Sequence, residues 1–178
     1  MITKDTWIIS DTHFGHKNII RFCDRPHNHE DVMIHNWKMT VNPDDTILHL
    51  GDVAFGNPKE IYYWANIIKE ELPGRKFLIK GNHDHSRSMK IYKGIFEVVD
   101  PFVQDFSDVK FFFSHYPDHP TSMEWDINVH GHIHNNPLRG EFSPMVDLDK
   151  IYENVSIEMT NYAPIKMEKI LMKWGVPF

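Results

Sequence analysis

The sequence predicts an α/β fold in which strands alternate with helices early in the chain and cluster later. Short apolar runs rich in β-branched and aromatic residues recur along the chain and end in glycine or polar turn residues. Segments whose apolar residues follow a helical spacing lie between the first of these runs. A chain of 178 residues is long enough to bury a sizeable core, so we expect a single domain over residues 1–178.

The first half of the chain supplies the alternating elements. Strands are predicted at 6–10, 46–50 and 76–80, and helices at 18–23, 32–41 and from Pro58 to Leu72. The last helix has the clearest start, because Asn57 can cap it and Glu60 completes an arrangement close to a capping box. Its apolar residues then form one stripe, which predicts a helix packed against a sheet.

The second half is richer in strands. We predict strands at 96–99, 102–104, 110–114 and 126–129, and a short helix at 88–93. Val155–Met159 alternates between apolar and polar residues and is interpreted as a half-exposed strand. Pro164 is expected to begin a final helix, which Gly175 ends.

Composition and charge limit the possible functions. The chain is 41% hydrophobic and 25% charged, lacks a signal-peptide pattern, and has no apolar run near the roughly 20 residues of a membrane span. Its single cysteine, Cys23, excludes an internal disulfide and suits a reducing compartment, so we predict a soluble cytoplasmic protein without a membrane partner. The net charge of −6 argues against an extended nucleic-acid surface. The oligomeric state is left open.

Metal-ligating residue types follow five predicted strands. They are Asp11 and His13, then Asp52, then Asn82 with His83, then His115, and finally His132 with His134. Ligands of open α/β sheets bind at the carboxyl ends of strands, and side chains two apart in an extended segment point the same way. A buried Asp52 would require cations beside it. These nitrogen and oxygen donors suit Mn, Fe, Co, Ni or Zn better than Ca, so we predict a pair of metal ions.

The order of these motifs resembles that of the calcineurin-like metallophosphoesterases, in particular their small bacterial and phage-type members without a cap domain. The matching motifs are Asp11-x-His13, Gly51-Asp52, Gly81-Asn82-His83-Asp84, His115 and Gly131-His132-x-His134. They span residues 11–134, and residues 154–174 are similar to the final strand and helix of such proteins. The resemblance implies a four-layer fold in which two mixed β-sheets pack as a sandwich flanked by helices.

The resemblance also implies a ligand set for two divalent metal ions. Mn is the first choice, with Fe, Zn, Ni and Co as alternatives. Asp52 would bridge the two ions. The other ligands would be Asp11, His13 and His134 for the first ion, and Asn82, His115 and His132 for the second.

Three further residues are assigned roles around the substrate. His83 would stand over the phosphoryl group and stabilise it or protonate the leaving oxygen. Asp84 would either orient His83 or cap the following turn. His16 is a candidate for contact with bound phosphate. Arg25 and four other basic residues of the loops are interpreted as solvated charges.

We therefore expect a dinuclear metal-dependent phosphoesterase that hydrolyses a phosphate ester by attack of metal-bound water or hydroxide. A phosphodiester is favoured over a monoester, and the partner would be a small-molecule phosphate ester or a nucleotide. Specificity would come from loops at 14–30, 85–95, 116–125 and 135–150. Two alternatives remain: a metal-dependent nuclease, which would need a basic track, and a non-catalytic scaffold with the same fold.

Overall fold

The computed structural model describes residues 2–118, 124–136 and 151–178, and these form two mixed β-sheets with helices. The strands are β1 (Trp7–Ile9), β2 (Thr46–His49), β3 (Arg75–Ile79), β4 (Glu97–Val99), β5 (Phe102–Phe106), β6 (Val109–Phe113), β7 (Ile127–His130), β8 (Tyr152–Asn154) and β9 (Ile165–Lys166). The helices are α1 (Ile19–Cys23), α2 (His29–Thr40), α3 (Pro58–Glu70), α4 (Ser86–Tyr92) and α5 (Met167–Lys173). Most of the specificity loops at 116–125 and 135–150 lie outside the described residues.

Both sheets are mainly parallel with one antiparallel edge strand. The five-stranded sheet has the order β4-β3-β2-β1-β9, in which β1 to β4 are parallel and β9 runs antiparallel to β1. The four-stranded sheet has the order β5-β6-β7-β8, in which β5 alone is antiparallel. The predicted architecture of two mixed sheets is therefore confirmed.

The core lies on both faces of the five-stranded sheet. Ile8 and Leu48 pack in one cluster with Phe111 and Val129 of the other sheet, which places the two sheets face to face. Neighbouring residues of β1 and β2 point to the opposite face, since side chains alternate along a strand. There they join a second cluster with buried residues of α2 and α3, including Trp37. The result is a sandwich of two sheets with α2 and α3 on the outer face of the five-stranded sheet, while α5 packs against the cluster between the sheets.

The predicted start of α3 is confirmed in detail. The Asn57 side chain accepts from the backbone N–H groups of Lys59 and Glu60, and the Glu60 carboxylate accepts from the Asn57 N–H. Pro58 occupies the first helical position, where its missing N–H costs nothing. The apolar stripe packs on the helix-side cluster through the buried Ala65 and Ile68.

Two predicted elements near the C-terminal end were wrong. Val155–Met159 is not a strand: β8 precedes it, and within it Ser156 alone forms an isolated bridge with Ser10. The final helix begins at Met167 instead of Pro164, because the backbone of Ile165–Lys166 pairs with β1 as strand β9. In the parts of the chain that the structure describes, no helix is long and apolar enough to cross a lipid bilayer.

The capping box gives a prediction about stability. Replacing Asn57 by Ala leaves the first N–H groups of α3 without an acceptor, so the free energy of unfolding should fall by about 1 kcal/mol. Urea denaturation followed by circular dichroism measures this change. The control is Lys59→Ala, an exposed position in the same turn. An equal loss in both variants would contradict the capping role.

Candidate metal centre

The carboxyl ends of adjacent strands bring the predicted site residues to one edge of the molecule. The loops after β1 and β2 run side by side, since the Asp11 N–H donates to Gly51 O and the His13 N–H donates to Asp52 O, both at 3.0 Å. The loop after β7 joins them where the His132 N–H donates to the Asp11 carboxylate at 2.9 Å. All the predicted ligand residues are gathered here.

A first group of potential ligands is formed by Asp11, His13 and His134, all of them buried. The Oδ1 atom of Asp11 lies 3.9 Å from Nε2 of His13 and 3.9 Å from Nε2 of His134. These separations are too long for hydrogen bonds. They suit an ion about 2.0–2.2 Å from each ligand atom, as zinc-type cations are.

A second group is formed by Asp52, His115, His132 and the amide of Asn82. The Asn82 Oδ1 atom lies 2.8 Å from His115 Nε2 and 3.0 Å from His132 Nδ1. The Asp52 Oδ2 atom lies 3.5 Å from His115 Nε2 and 3.4 Å from His13 Nε2. Asp52 is therefore the residue that stands between the two groups.

Unsatisfied buried atoms show that these residues fit metal ions. Asp11 Oδ1 and both ring nitrogens of His13 are buried and have no hydrogen-bond partner. Buried polar atoms in proteins are almost always paired, so these three need an explanation. A divalent cation satisfies the carboxylate oxygen and one of the imidazole nitrogens.

The hydrogen bonds of two histidines set which nitrogen faces the centre. His115 donates its Nδ1–H to Leu50 O at 2.7 Å, because a carbonyl can only accept, and this leaves Nε2 turned toward Asn82 and Asp52. His134 donates its Nδ1–H to the Glu158 carboxylate at 3.0 Å, and its Nε2 faces Asp11. Ligating histidines are commonly oriented in this way by a partner on the other nitrogen.

The electrostatics of the centre favour added positive charge. Burial raises the pKa of Asp52 to about 7, although His115 opposes this shift. Burial would also raise the pKa of Asp11, but the surrounding histidines hold it below its usual range. Burial lowers the pKa of His13, and it lowers that of His132 to about 4, so both rings are neutral ligands at neutral pH.

Backbone conformation, and not strand alternation, turns the paired ligands inward. Five of the seven predicted ligands have positive φ values between 47° and 69°, namely Asp11, His13, Asp52, His132 and His134. The expectation that Asp11/His13 and His132/His134 lie in extended segments was therefore wrong. Left-handed backbone at a residue other than glycine costs of order 1–3 kcal/mol and is concentrated at functional sites.

Glycines allow the loops to approach one another. A Cβ atom at Gly81 would collide with the Asp52 carboxylate, and one at Gly131 would collide with the Asp11 carboxylate. Because a side chain at either position would displace a ligand, Gly81 and Gly131 are part of the construction of the centre.

Asp84 fastens two of these loops together. Its carboxylate is fully buried and accepts from the backbone N–H groups of Gly81, Asp52 and Val53 at 2.8–3.1 Å. Within the described residues no hydrogen bond joins it to the ring of His83. Both carboxylate oxygens are instead engaged by backbone amides before Asp84 in the chain, and the helix that follows has His85 as its N-cap, so the geometry matches neither the orienting role nor a cap on the following turn.

The other two assigned residues lie beside the first group. The half-buried ring of His83 has its centroid 5.3 Å from that of His13, and the His83 backbone N–H donates to Asp52 Oδ1 at 2.8 Å. The ring of His16 lies 5.4 Å from that of His13. Both rings are therefore close to the centre without joining either ligand group.

Two residues with clear roles in the centre escape prediction from sequence. Arg25 is buried, donates to the backbone carbonyls of Asp11 and Thr12 at 2.7 and 2.8 Å, and pairs with Glu158 at 2.7 Å. Glu158 in turn accepts from His134. No local motif marks either residue, since they lie 133 positions apart. The expectation that Arg25 is a solvated charge was wrong.

These contacts also affect the charge of His134. Burial would lower its pKa, but hydrogen bonds with Cys23 and Glu158 raise it to about 10. In the absence of a metal ion the ring therefore keeps both protons at neutral pH. A cation at Nε2 has to displace one of them, as is usual for metal binding by histidine.

The close approach at Gly81 gives a prediction. Gly81→Ala should displace the Asp52 carboxylate, lower the bound metal content and reduce the free energy of unfolding by about 1–3 kcal/mol. Elemental analysis and urea denaturation measure these effects. Gly94→Ala is the matched control, since a Cβ there meets nothing within 4 Å. Equal metal content in the two variants would contradict the proposed tight fit.

Comparisons with known proteins identify relatives whose functions are not described. No family model matches the sequence. The chain is 32% identical over 176 residues to the uncharacterised protein MJ1445 of Methanocaldococcus jannaschii, a match that covers 96% of this chain and 92% of that protein. The crystal structure of AQ665 from Aquifex aeolicus, a protein of unknown function, superposes with a TM-score of 0.76 at 29% identity and covers 94% of this chain and 98% of its own.

More distant structures have described activities but superpose loosely. The Pseudomonas putida nuclease MPE has a TM-score of 0.45 at 20% identity and covers 74% of this chain and 62% of its own. A novel archaeal phosphodiesterase has a TM-score of 0.40 at 23% identity and covers 85% and 82%. Structural similarity at this level does not indicate the function of this chain. The match over nearly the full length of both chains shows that this chain belongs to the family of the uncharacterised protein MJ1445.

Proposed function

We propose that this protein is a metal-dependent phosphoesterase with two divalent metal ions. The observation that carries the proposal is the convergence of seven ligand side chains in two groups that share Asp52, with buried atoms that no hydrogen bond satisfies. The resemblance of the motifs to those of the calcineurin-like metallophosphoesterases supports the same function. Mn is the preferred metal, with Fe, Zn, Ni and Co as alternatives.

We assign each of the two groups of side chains to one metal ion. Asp52 would be shared. Asp11, His13 and His134 would hold the first ion, and Asn82, His115 and His132 the second. When bound, the ions would supply a nucleophile from water at neutral pH and offset charge on the phosphoryl oxygens.

Charge complementarity favours a phosphate ester as the substrate. Two divalent cations facing the carboxylates of Asp11 and Asp52 leave a net charge of about +2, which an anionic phosphoryl group complements. A phosphodiester, including a nucleotidic one, is the favoured substrate by resemblance. The net charge of −6 counts against a nuclease that binds an extended nucleic acid. The complete set of ligands counts against a scaffold without catalysis.

His83 is proposed to act on the substrate itself. Its half-buried ring lies beside the first ligand group, and burial lowers its pKa, so the ring is neutral at neutral pH. A neutral imidazole retains one N–H, which can donate a hydrogen bond to a phosphoryl oxygen, whereas protonation of the leaving oxygen would be carried by the imidazolium form, which is populated as the pH falls. The backbone N–H of His83 meanwhile holds Asp52 in place.

The function is tested on purified protein with a chromogenic phosphodiester. Elemental analysis first establishes the bound metals, and activity is then measured with Mn²⁺, after chelation, and after metal is restored. We expect turnover that chelation abolishes and metal restores. The absence of metal-dependent turnover with every divalent ion tried would refute the proposal. Inhibition by oligonucleotides at physiological salt would favour the nuclease.

The shared role of Asp52 predicts how metal content changes. Asp52→Ala should weaken both sites and leave close to no tightly bound metal, whereas Asn82→Ala should spare the first ion. Elemental analysis after gel filtration measures the difference. Two tightly bound ions in Asp52→Ala would show that the residue is not shared.

The role of His83 predicts a loss of rate without a loss of metal. His83→Ala should lower kcat by about 10²- to 10⁴-fold, the usual contribution of a positioned acid or base, and keep both ions. His35→Ala, an exposed histidine of α2, is the control. Full activity in metal-loaded His83→Ala would refute the assignment.

A further inference from the structure

Partly exposed aromatic side chains surround the metal centre. Phe55 is 36% exposed, and its ring lies 5.4 Å from that of His83 and 4.2 Å from that of His16. On the side of the second ligand group, Tyr116 is 46% exposed and its ring lies 4.4 Å from that of His132. Aromatic side chains at the rim of a polar site offer a flat apolar face to a ligand that is itself partly apolar.

A groove begins at Gly56, the residue that follows Phe55 in the chain. It has a volume of about 340 Å³ and is lined by Gly56, Pro58 and Ile61 on one side and by His85, Ser86 and Arg87 on the other. This volume falls in the range of about 300–1,000 Å³ that small-molecule sites occupy. The ring of the lining residue His85 lies 6.4 Å from that of His83, which in turn lies 5.3 Å from that of His13, so the groove is close to the first ligand group.

The groove has the chemistry of a site for an organic group that carries polar substituents. Pro58 and Ile61 offer apolar surface, Ser86 offers a hydroxyl, and Arg87 offers a positive charge. The nearby carboxylate of Glu60 is engaged with the Asn57 N–H at the start of α3. The side chains that line the groove therefore carry a net positive charge, whereas the chain as a whole has a net charge of −6.

We propose that this groove binds the organic part of the phosphate ester and that a nucleobase in this part stacks on Phe55. The inference rests on the proposed function, because it assumes that the phosphoryl group lies at the metal centre. An aromatic side chain accepts any base, since every base has a flat face, and stacking of this kind contributes measurably to affinity. Phe55 would then determine specificity for nucleotides over simple sugar phosphates.

Equilibrium binding to the metal-loaded full-length protein tests this proposal. The probes are phosphinate analogues of the methyl diesters of AMP and of ribose 5-phosphate, which cannot be hydrolysed because both ester oxygens are replaced by carbon, together with dimethylphosphinate and adenosine, each titrated by calorimetry. We expect the AMP analogue to bind at least about tenfold more tightly than the ribose analogue, within the range of base–aromatic stacking. Equal affinity of the two analogues would overturn the proposal.

Variants locate the stacking surface. Phe55→Leu should remove the preference for the AMP analogue, and Phe55→Trp should keep or increase it, which separates stacking from a folding defect. Phe178→Leu is the matched control, because Phe178 is 56% exposed and lies beside Lys4, at the start of the chain. A preference lost in Tyr116→Leu but kept in Phe55→Leu would place the base on the other side and overturn the proposal.

The same titrations distinguish this inference from the proposed function. If none of the three phosphinates binds, the phosphodiesterase proposal fails. Adenosine that still binds, and loses affinity in Phe55→Leu, would then support the groove as a base site on its own. Failure of adenosine to bind in that case would overturn the base site as well.

Discussion

Asp11 and Asp52 are carboxylates buried at the carboxyl ends of adjacent parallel strands, and their burial constrains the loops around them. In each carboxylate, one of the two oxygens accepts hydrogen bonds from the protein. Asp11 Oδ2 accepts from the His132 N–H and the Ser156 hydroxyl, and Asp52 Oδ1 accepts from the His83 N–H. The remaining oxygens face imidazole nitrogens. An uncompensated buried charge costs several kcal/mol, and cations bound between these side chains would compensate the charge of the two carboxylates.

The rigidity of the centre follows from how its loops are joined. Asp84 binds the backbone of two loops at once, and Gly81 lets them approach until a single added carbon would displace Asp52. Left-handed backbone at the ligands is held in place by these contacts. Ligand side chains fixed in this manner lose little further entropy when an ion or a substrate arrives, which favours binding.

The sequence predicts the parts of the site that depend on local patterns. His115 follows a strongly apolar strand, and Asp52 follows a buried one, so the sequence alone predicts both at strand ends. The capping box at Asn57 is equally local. The order of the motifs along the chain then indicated a shared centre.

Long-range contacts and backbone conformation could not be predicted. Glu158 follows β8 in a turn and not in the expected strand, because the segment bends to bring its carboxylate to His134. Two of the three backbone amides that the Asp84 side chain binds belong to a loop 31 to 32 residues away. Neither role leaves a pattern in hydrophobicity or spacing, since both arise only when distant loops meet.

The pairing of Arg25 with Glu158 has a consequence for the order in which the molecule is made. Arg25 supports the carbonyls of Asp11 and Thr12 near the beginning of the chain, while its partner is one of the last residues before β9. A ribosome therefore completes all seven predicted ligand positions and strands β1 to β8 before Glu158, the support for His134, exists. The first group of potential ligands, Asp11, His13 and His134, can therefore reach its final geometry only after residue 158 has left the exit tunnel.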